Sequence, residues 1–140
     1  MNGRFFLDTN IFVYAFEETV RRKSLRANEL IRTAVGTRRG IVSYQVVQEF
    51  FNVSLGRFSH PMTVTDAEQY LATVFKPLLA VFSSVALYSE ALRLNAKHGI
   101  PWYDSLIIAS AVEGKCQILY SEDFQHGQRF GNLRVENPFN

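Results

Sequence analysis

Four carboxylates, Asp8, Glu49, Asp104 and Asp123, stand where a folded chain could gather them. Asp8 ends the apolar run Phe5-Phe6-Leu7, and Asp123 follows the run Gln117 to Tyr120. Glu49 lies early in the segment after Ile41-Val42-Ser43, and Asp104 opens the segment Ser105 to Val112. Three or four carboxylates in one cleft repel each other by on the order of several kcal/mol unless a cation sits among them. With no His or Cys beside them, an oxygen-only set suits Mg²⁺ or Mn²⁺ rather than zinc. Such ions keep bound water and bind phosphates, which points to phosphate-ester chemistry. Each acid also has a plain alternative. Asp8 and Asp104 could be helix caps, Glu49 a solvated side chain and Asp123 a turn former.

Gathering these acids requires a particular architecture. Arg4 to Leu7 reads as a strand, with Asp8 or Asn10 capping a short helix over Ile11 to Phe16. A second helix is predicted from Val20 to Val35, stopped by Gly36. Its outer faces and the next loop carry Arg21, Arg22, Lys23, Arg26, Arg32, Arg38 and Arg39 against Glu29 alone, a basic bias whose plain reading is a solvated face. Ile41 to Ser43 is a second strand, with Ser43 placed to cap a helix over Tyr44 to Leu55. On that helix Val46, Phe50 and Val53 share one side, Gln45, Gln48 and Asn52 lie opposite, and Glu49 falls at the border. Asp66 to Phe75 reads as a helix ended by Pro77, Leu78 to Phe82 as a third strand, and Val85 to Lys97 as a helix closed by His98-Gly99. Ser105 to Val112 is apolar or small nearly all round, so that helix must be buried, with Asp104 at its electropositive start. Gln117 to Tyr120 and Leu133 to Val135 are the remaining strands, joined by a loop from Phe124 to Gly131.

Strands alternating with helices predict an α/β fold: three layers, α/β/α, around a mainly parallel sheet covered by helices. Right-handed crossovers bring the carboxyl ends of such strands to one edge, where all four acids should converge.

Chain totals narrow the class. The 140 residues make one domain, spanning 1–140, and its 47% apolar and 20% charged content is that of a globular protein. Twelve Phe and six Tyr give an aromatic core, while a formal charge of +2 is too small to establish a nucleic-acid partner. A lone Cys116 excludes an intrachain disulfide and suits a reducing cytoplasm. Phe5 to Leu7 is too short for a signal-peptide core, and no stretch approaches the ~18–20 apolar residues of a membrane span.

Asp8-Thr9-Asn10 after an N-terminal strand, a mid-chain Glu49, Asp104 ahead of Leu106-Ile107-Ile108-Ala109-Ser110-Ala111, and Ser121-x-Asp123-Phe124 together resemble the PIN-domain nucleases. The likeness is to the small VapC-type ribonuclease toxins of type II toxin–antitoxin pairs, and it covers Phe5 to Phe124. It implies that Asp8, Glu49, Asp104 and Asp123 are catalytic and bind Mg²⁺ or Mn²⁺, and that Thr9, Asn10 and Ser121 orient acids and waters around them. Glu122 departs from the pattern by placing a second acid beside Asp123. Strand alternation puts Asp123 on the side of Ser121, which favours Asp123. The implied activity is metal-dependent hydrolysis of RNA phosphodiesters, with Arg21, Arg22, Lys23 and Arg26 as a track for the RNA backbone. A homodimer and a protein antitoxin are implied as partners. Two rival readings are a non-enzymatic binding module and a phosphatase with Asp8 as nucleophile, the latter weakened by Asn10 where a second acid is needed.

Overall fold

A computed structural model describes residues 3–17 and 19–140. Phe5, Phe6 and Leu7 are buried in strand β1 (Arg4–Leu7), which leaves no water-facing side and makes this the central strand. It pairs in parallel with β2 (Gly40–Ser43) on one side and β4 (Cys116–Tyr120) on the other. The full order is β3-β2-β1-β4-β6-β5, with β3 at Leu79–Val81, β5 at Arg129–Phe130 and β6 at Leu133–Glu136. Only the β5–β6 pair is antiparallel. The chain steps from β1 to β2 to β3 in one direction and then crosses back to β4. Right-handed crossovers therefore put α1 (Thr9–Phe16), α2 (Arg21–Thr37) and α3 (Tyr44–Ser54) on one face. They put α6 (Val85–His98) and α7 (Trp102–Glu113) on the other. Contacts of α1 with α2 and α3, and of α6 with α7, agree with this division. The predicted three-layer α/β/α class is the observed one.

Local chemistry explains where the elements begin and end, and where they depart from expectation. The first helix starts at Thr9 rather than Ile11, because the Asp8 carboxylate accepts the Thr9 N–H at 2.7 Å and caps it. Helix α2 runs through Gly36 to Thr37 and ends at Arg38, which takes the left-handed conformation (φ 59°) expected of the glycine. A Cβ at Gly36 would meet nothing within 4 Å, so the glycine costs helix propensity without imposing a turn. The predicted helix over Asp66 to Phe75 begins earlier, as α4 (Val64–Tyr70), with Thr63 accepting the Asp66 N–H. It then widens into a π turn (Leu71–Phe75) and continues as α5 (Lys76–Leu78) through Pro77. The wide turn immediately before Pro77 relieves the clash that its ring would make with the preceding α-helical turn. Strand β3 is correspondingly shorter than Leu78 to Phe82, and β5 lies inside the segment expected to be loop. Ser43 stands at the cap of α3, but its buried hydroxyl makes no hydrogen bond.

The core beneath α1 and α3 is aromatic. Phe12 and Phe50 are fully buried, and Phe50 meets Phe75 and Tyr70 with ring centroids 5.3 Å from each. Phe16 stays 42% exposed at the edge of this cluster. Among the described residues, no helix is long and apolar enough to cross a membrane.

Gly40 sets the spacing between α2 and the sheet. A Cβ there would fall 2.3 Å from Ala34 Cβ and 2.7 Å from Phe5 Cε2. Gly40→Ala is expected to destabilise the fold by about 2–3 kcal/mol, the range for overpacking a tight contact. Urea denaturation would read this as a lower midpoint at constant slope. Gly36→Ala, with open space around it, should be neutral or slightly stabilising.

Candidate active site

The strand order reverses at β1 and β4, and their carboxyl ends are in register, Leu7 beside Tyr120. This is the switch point at which open α/β sheets form their crevice. The next residues on the two strands, Asp8 and Ser121, meet there. Asp8 N–H donates to Tyr120 O at 3.1 Å, and Ser121 Oγ donates to Asp8 Oδ2 at 2.7 Å. Asp8 is 4% exposed, with Oδ1 on the Thr9 N–H and Oδ2 on Ser121. It thus caps α1 and belongs to the acid cluster at once.

The other acids arrive from three further elements. Glu49 projects from the second turn of α3 and is held by Thr9 Oγ1 at 2.7 Å and Gln45 Nε2 at 3.3 Å. Gln45 was placed on the polar face by periodicity, yet it is buried and also donates to Tyr103 O at 3.2 Å. It thereby ties α3 to the first turn of α7. The four-residue spacing of Gln45 and Glu49 was the available signal for that pair. Asp104 lies in the first turn of α7, which starts at Trp102 rather than at the acid. Asp123 follows β4, with its N–H on Ser121 Oγ at 3.1 Å and Asn10 near enough to its carboxylate to favour the charged form.

Mutual repulsion shows that these side chains share one field. Burial raises the Asp8 carboxyl to about 7, helped by the charges of Asp123 and Glu49 and opposed by the bonds from Ser121 and Thr9. Asp104 is raised by lost hydration and by Glu49. Asp123, exposed as a residue, is raised first by lost hydration around its carboxyl and then by Asp104, Glu122 and Glu49, with Asn10 pulling the other way. Asn10 Oδ1, and Gln45 Oε1 on the side chain bonded to Glu49, are buried without partners. An all-oxygen cluster with repelling charges and unsatisfied acceptors fits a hard divalent cation. It is an open cluster, since among the described residues no three acids or other metal-binding side chains stand close enough to form a ready cage.

The neighbouring acid Glu122 faces elsewhere. Its carboxylate accepts from Tyr14 OH and pairs with Lys23 Nζ at 3.0 Å. Of the basic residues of α2, Arg22 donates to Phe139 O at 2.7 Å, and Arg26 donates to Pro138 O and pairs with Glu29. Arg22, Lys23 and Arg26 are therefore engaged within the protein, while Arg21 is exposed. His126 accepts the Asn137 N–H, His98 packs edge-on against Phe130, and Trp102 packs against Tyr88. An open cavity of about 950 Å³ lies elsewhere, between Phe16, Phe58, Met62 and Tyr70, and includes none of the four acids.

The model of the PIN domain family matches residues 5–129, and the chain belongs to that family. No curated protein matches it. Among solved structures it is similar to FitAB bound to an IR36 DNA fragment (20% identity, 97% of this chain and 96% of that one, TM-score 0.67). It is also similar to VapBC2 from Rickettsia felis bound to a promoter DNA fragment (18%, 94% and 96%, 0.64). A third similar structure is Mycobacterium tuberculosis VapC20, a toxin that cleaves the sarcin–ricin loop (17%, 85% and 89%, 0.61). At these identities the likeness establishes a shared fold.

The raised Asp8 carboxyl has a consequence for stability. Its folded-state value lies above the ordinary 3.8, so the folded protein holds a proton that the unfolded chain releases between pH 4 and 7. The stability it contributes is complete below pH 4 and is lost as pH rises through about 7. In EDTA, Asp8→Asn should therefore gain about 1–3 kcal/mol over the parent at pH 8 and little at pH 4. Urea midpoints at the two pH values check this. Equal differences at both would contradict it.

Proposed function

We propose that this PIN-domain chain is a metal-dependent endoribonuclease and the toxin of a type II toxin–antitoxin pair. The observation that carries the reading is the buried, doubly hydrogen-bonded Asp8 at the β1–β4 switch point, coupled electrostatically to Glu49 and Asp123. Asp8, Glu49, Asp104 and Asp123 would hold Mg²⁺ or Mn²⁺. When bound, such an ion supplies an acidified water for attack on phosphorus and positive charge for the phosphate oxygens. The chain's own residues do the rest. Ser121 and Thr9 fix Asp8 and Glu49 through 2.7 Å bonds, Ser121 Oγ also takes the Asp123 N–H at 3.1 Å, and Asn10 favours the charged form of Asp123. The carboxylates of Asp104 and Asp123, both raised above their ordinary values, are suited to take a proton from water. Arg21, exposed on α2, would contribute to holding an RNA backbone. The phosphatase reading is disfavoured, because a nucleophile with both oxygens engaged and 4% exposure is poorly presented to a substrate.

A protein antitoxin is proposed as partner, in line with the FitAB and VapBC2 structures that share the fold. The setting is cytoplasmic, where the buried free thiol of Cys116 needs no pairing. A homodimer is supported by an exposed apolar stripe on α6, Val85 (85%), Tyr88 and Leu92, continued by Phe82 and Tyr103.

The purified protein should cleave RNA in Mg²⁺ or Mn²⁺ and not in EDTA. Asp8→Asn and Asp123→Ala should each lower the rate on the order of 100-fold or more, equivalent to about 3 kcal/mol of lost transition-state stabilisation. Glu122→Ala should retain most activity. Cleavage that persists in EDTA or in Asp8→Asn would sink the proposal.

For the dimer, light scattering should give twice the chain mass for the parent and the single-chain mass for Val85→Glu/Leu92→Glu. A monomeric parent protein would contradict it.

A further inference from the structure

The segment that carries Asp123 leaves β4 as Ser121-Glu122-Asp123, so two adjacent carboxylates emerge at the edge of the acid cluster. One stays with the cluster and one is drawn off. Asp123 keeps its N–H on Ser121 Oγ at 3.1 Å, whereas both Glu122 oxygens are occupied on the other side, Oε1 by Tyr14 OH and Oε2 by Lys23 Nζ at 3.0 Å. The two groups that hold Glu122 are themselves braced. Lys23 Nζ also contacts Tyr14 OH at 3.3 Å and lies over the Tyr14 ring at 4.6 Å and the Phe139 ring at 5.5 Å. The Tyr14 and Phe139 rings meet edge to face at 5.1 Å, and Phe139 is 5% exposed. Arg22 and Arg26 fasten the backbone on either side of that ring, through Phe139 O and Pro138 O. Two side chains, Tyr14 of α1 and Lys23 of α2, thus hold one carboxylate next to, and outside, the proposed metal site, with Phe139 of the C-terminal segment packed behind them.

We propose that Tyr14 and Lys23, seated on Phe139, are positioning residues that keep Glu122 out of the acid cluster and so leave Asp123 as the acid presented there. The inference rests on the nuclease reading above and deepens it. Its physical content is competition. A cluster that already repels itself gains nothing from a further carboxylate, and adjacent residues just beyond the strand point to opposite sides, so a local flip of the backbone there would exchange them. Holding Glu122 with a lysine and a phenol, one bond to each carboxylate oxygen and a third between the two holders, removes that alternative.

This predicts an order of effects that a merely structural role would not give: releasing the Glu122 carboxylate is worse than deleting it. Glu122→Ala should stay within about threefold of the parent in kcat, whereas Tyr14→Phe/Lys23→Met should fall about tenfold or more. Adding Glu122→Ala to that pair should restore most of the loss. Failure of the triple variant to recover, or an unaffected double variant, would overturn the clamp. A second readout needs neither metal nor RNA. The Asp123 amide, bonded to Ser121 Oγ at 3.1 Å, should exchange with solvent about tenfold faster in the double variant, with β4 core amides unchanged. Unchanged exchange at Asp123 overturns the clamp whatever the nuclease assays give. Absence of metal-dependent cleavage in the parent, with faster exchange in the variant, would instead count against the nuclease reading alone.

Discussion

The carboxyl group of Asp8 joins the two halves of the sheet and is placed where a charge is costly to keep. Its Oδ2 takes the Ser121 hydroxyl across from β4 and its Oδ1 starts α1, while the surrounding core leaves it 4% exposed. Hydrogen bonds to a charged group are worth about 1.5–3 kcal/mol each, less than the full cost of removing a carboxylate from water. The imbalance is what raises its carboxyl to about 7. A chain selected for stability alone could put an asparagine or serine here. Retaining a strained acid at the switch point is the mark of a site whose purpose is something other than folding.

From that point the rest of the site follows by contact. Thr9, fixed by the Asp8 cap, reaches Glu49 on α3; Gln45, one turn before Glu49, reaches the start of α7 and so sets Asp104. Asn10 favours the charged form of Asp123 beyond β4. One connected set of polar side chains holds Asp8 and Glu49 and reaches the backbone at Tyr103, beside Asp104, and at Asp123, built on helix starts and strand ends rather than on long loops. The acids repel, and the Asn10 and Gln45 carbonyl oxygens are buried unpartnered, which is the chemistry that supports the proposed cation.

Much of this was legible in the sequence, for reasons that also explain what was not. Phe5 to Leu7 running into Asp8, and the all-round apolar Ser105 to Val112, left little choice but a central strand and a buried helix, and the parallel sheet followed from their alternation. The boundaries were less readable because tertiary contacts set them. Gly36 looked like a stop but needed no left-handed turn, and Pro77 looked like a breaker until the π turn made room for it. Gln45 escaped because periodicity sorts residues by polarity and cannot see that a buried amide nitrogen has two acceptors, Glu49 and Tyr103 O, waiting for it. The basic stretch of α2 read as a solvated face or a track for RNA; what a local pattern does not show is that Arg22, Lys23 and Arg26 also bond Glu122, Glu29 and the C-terminal backbone. Partners that are distant in sequence, such as Tyr14 and Glu122, leave no trace in a local pattern.

The central claim is that the four acids at the β1–β4 switch point form one cation site. Anomalous diffraction from crystals soaked in Mn²⁺ tests it most directly, because it locates the ion without reference to activity. A single anomalous site, or a close pair, bounded by Asp8, Glu49, Asp104 and Asp123 is the expected result. An empty cluster at saturating Mn²⁺, or a peak beside Glu122 in place of Asp123, would contradict it.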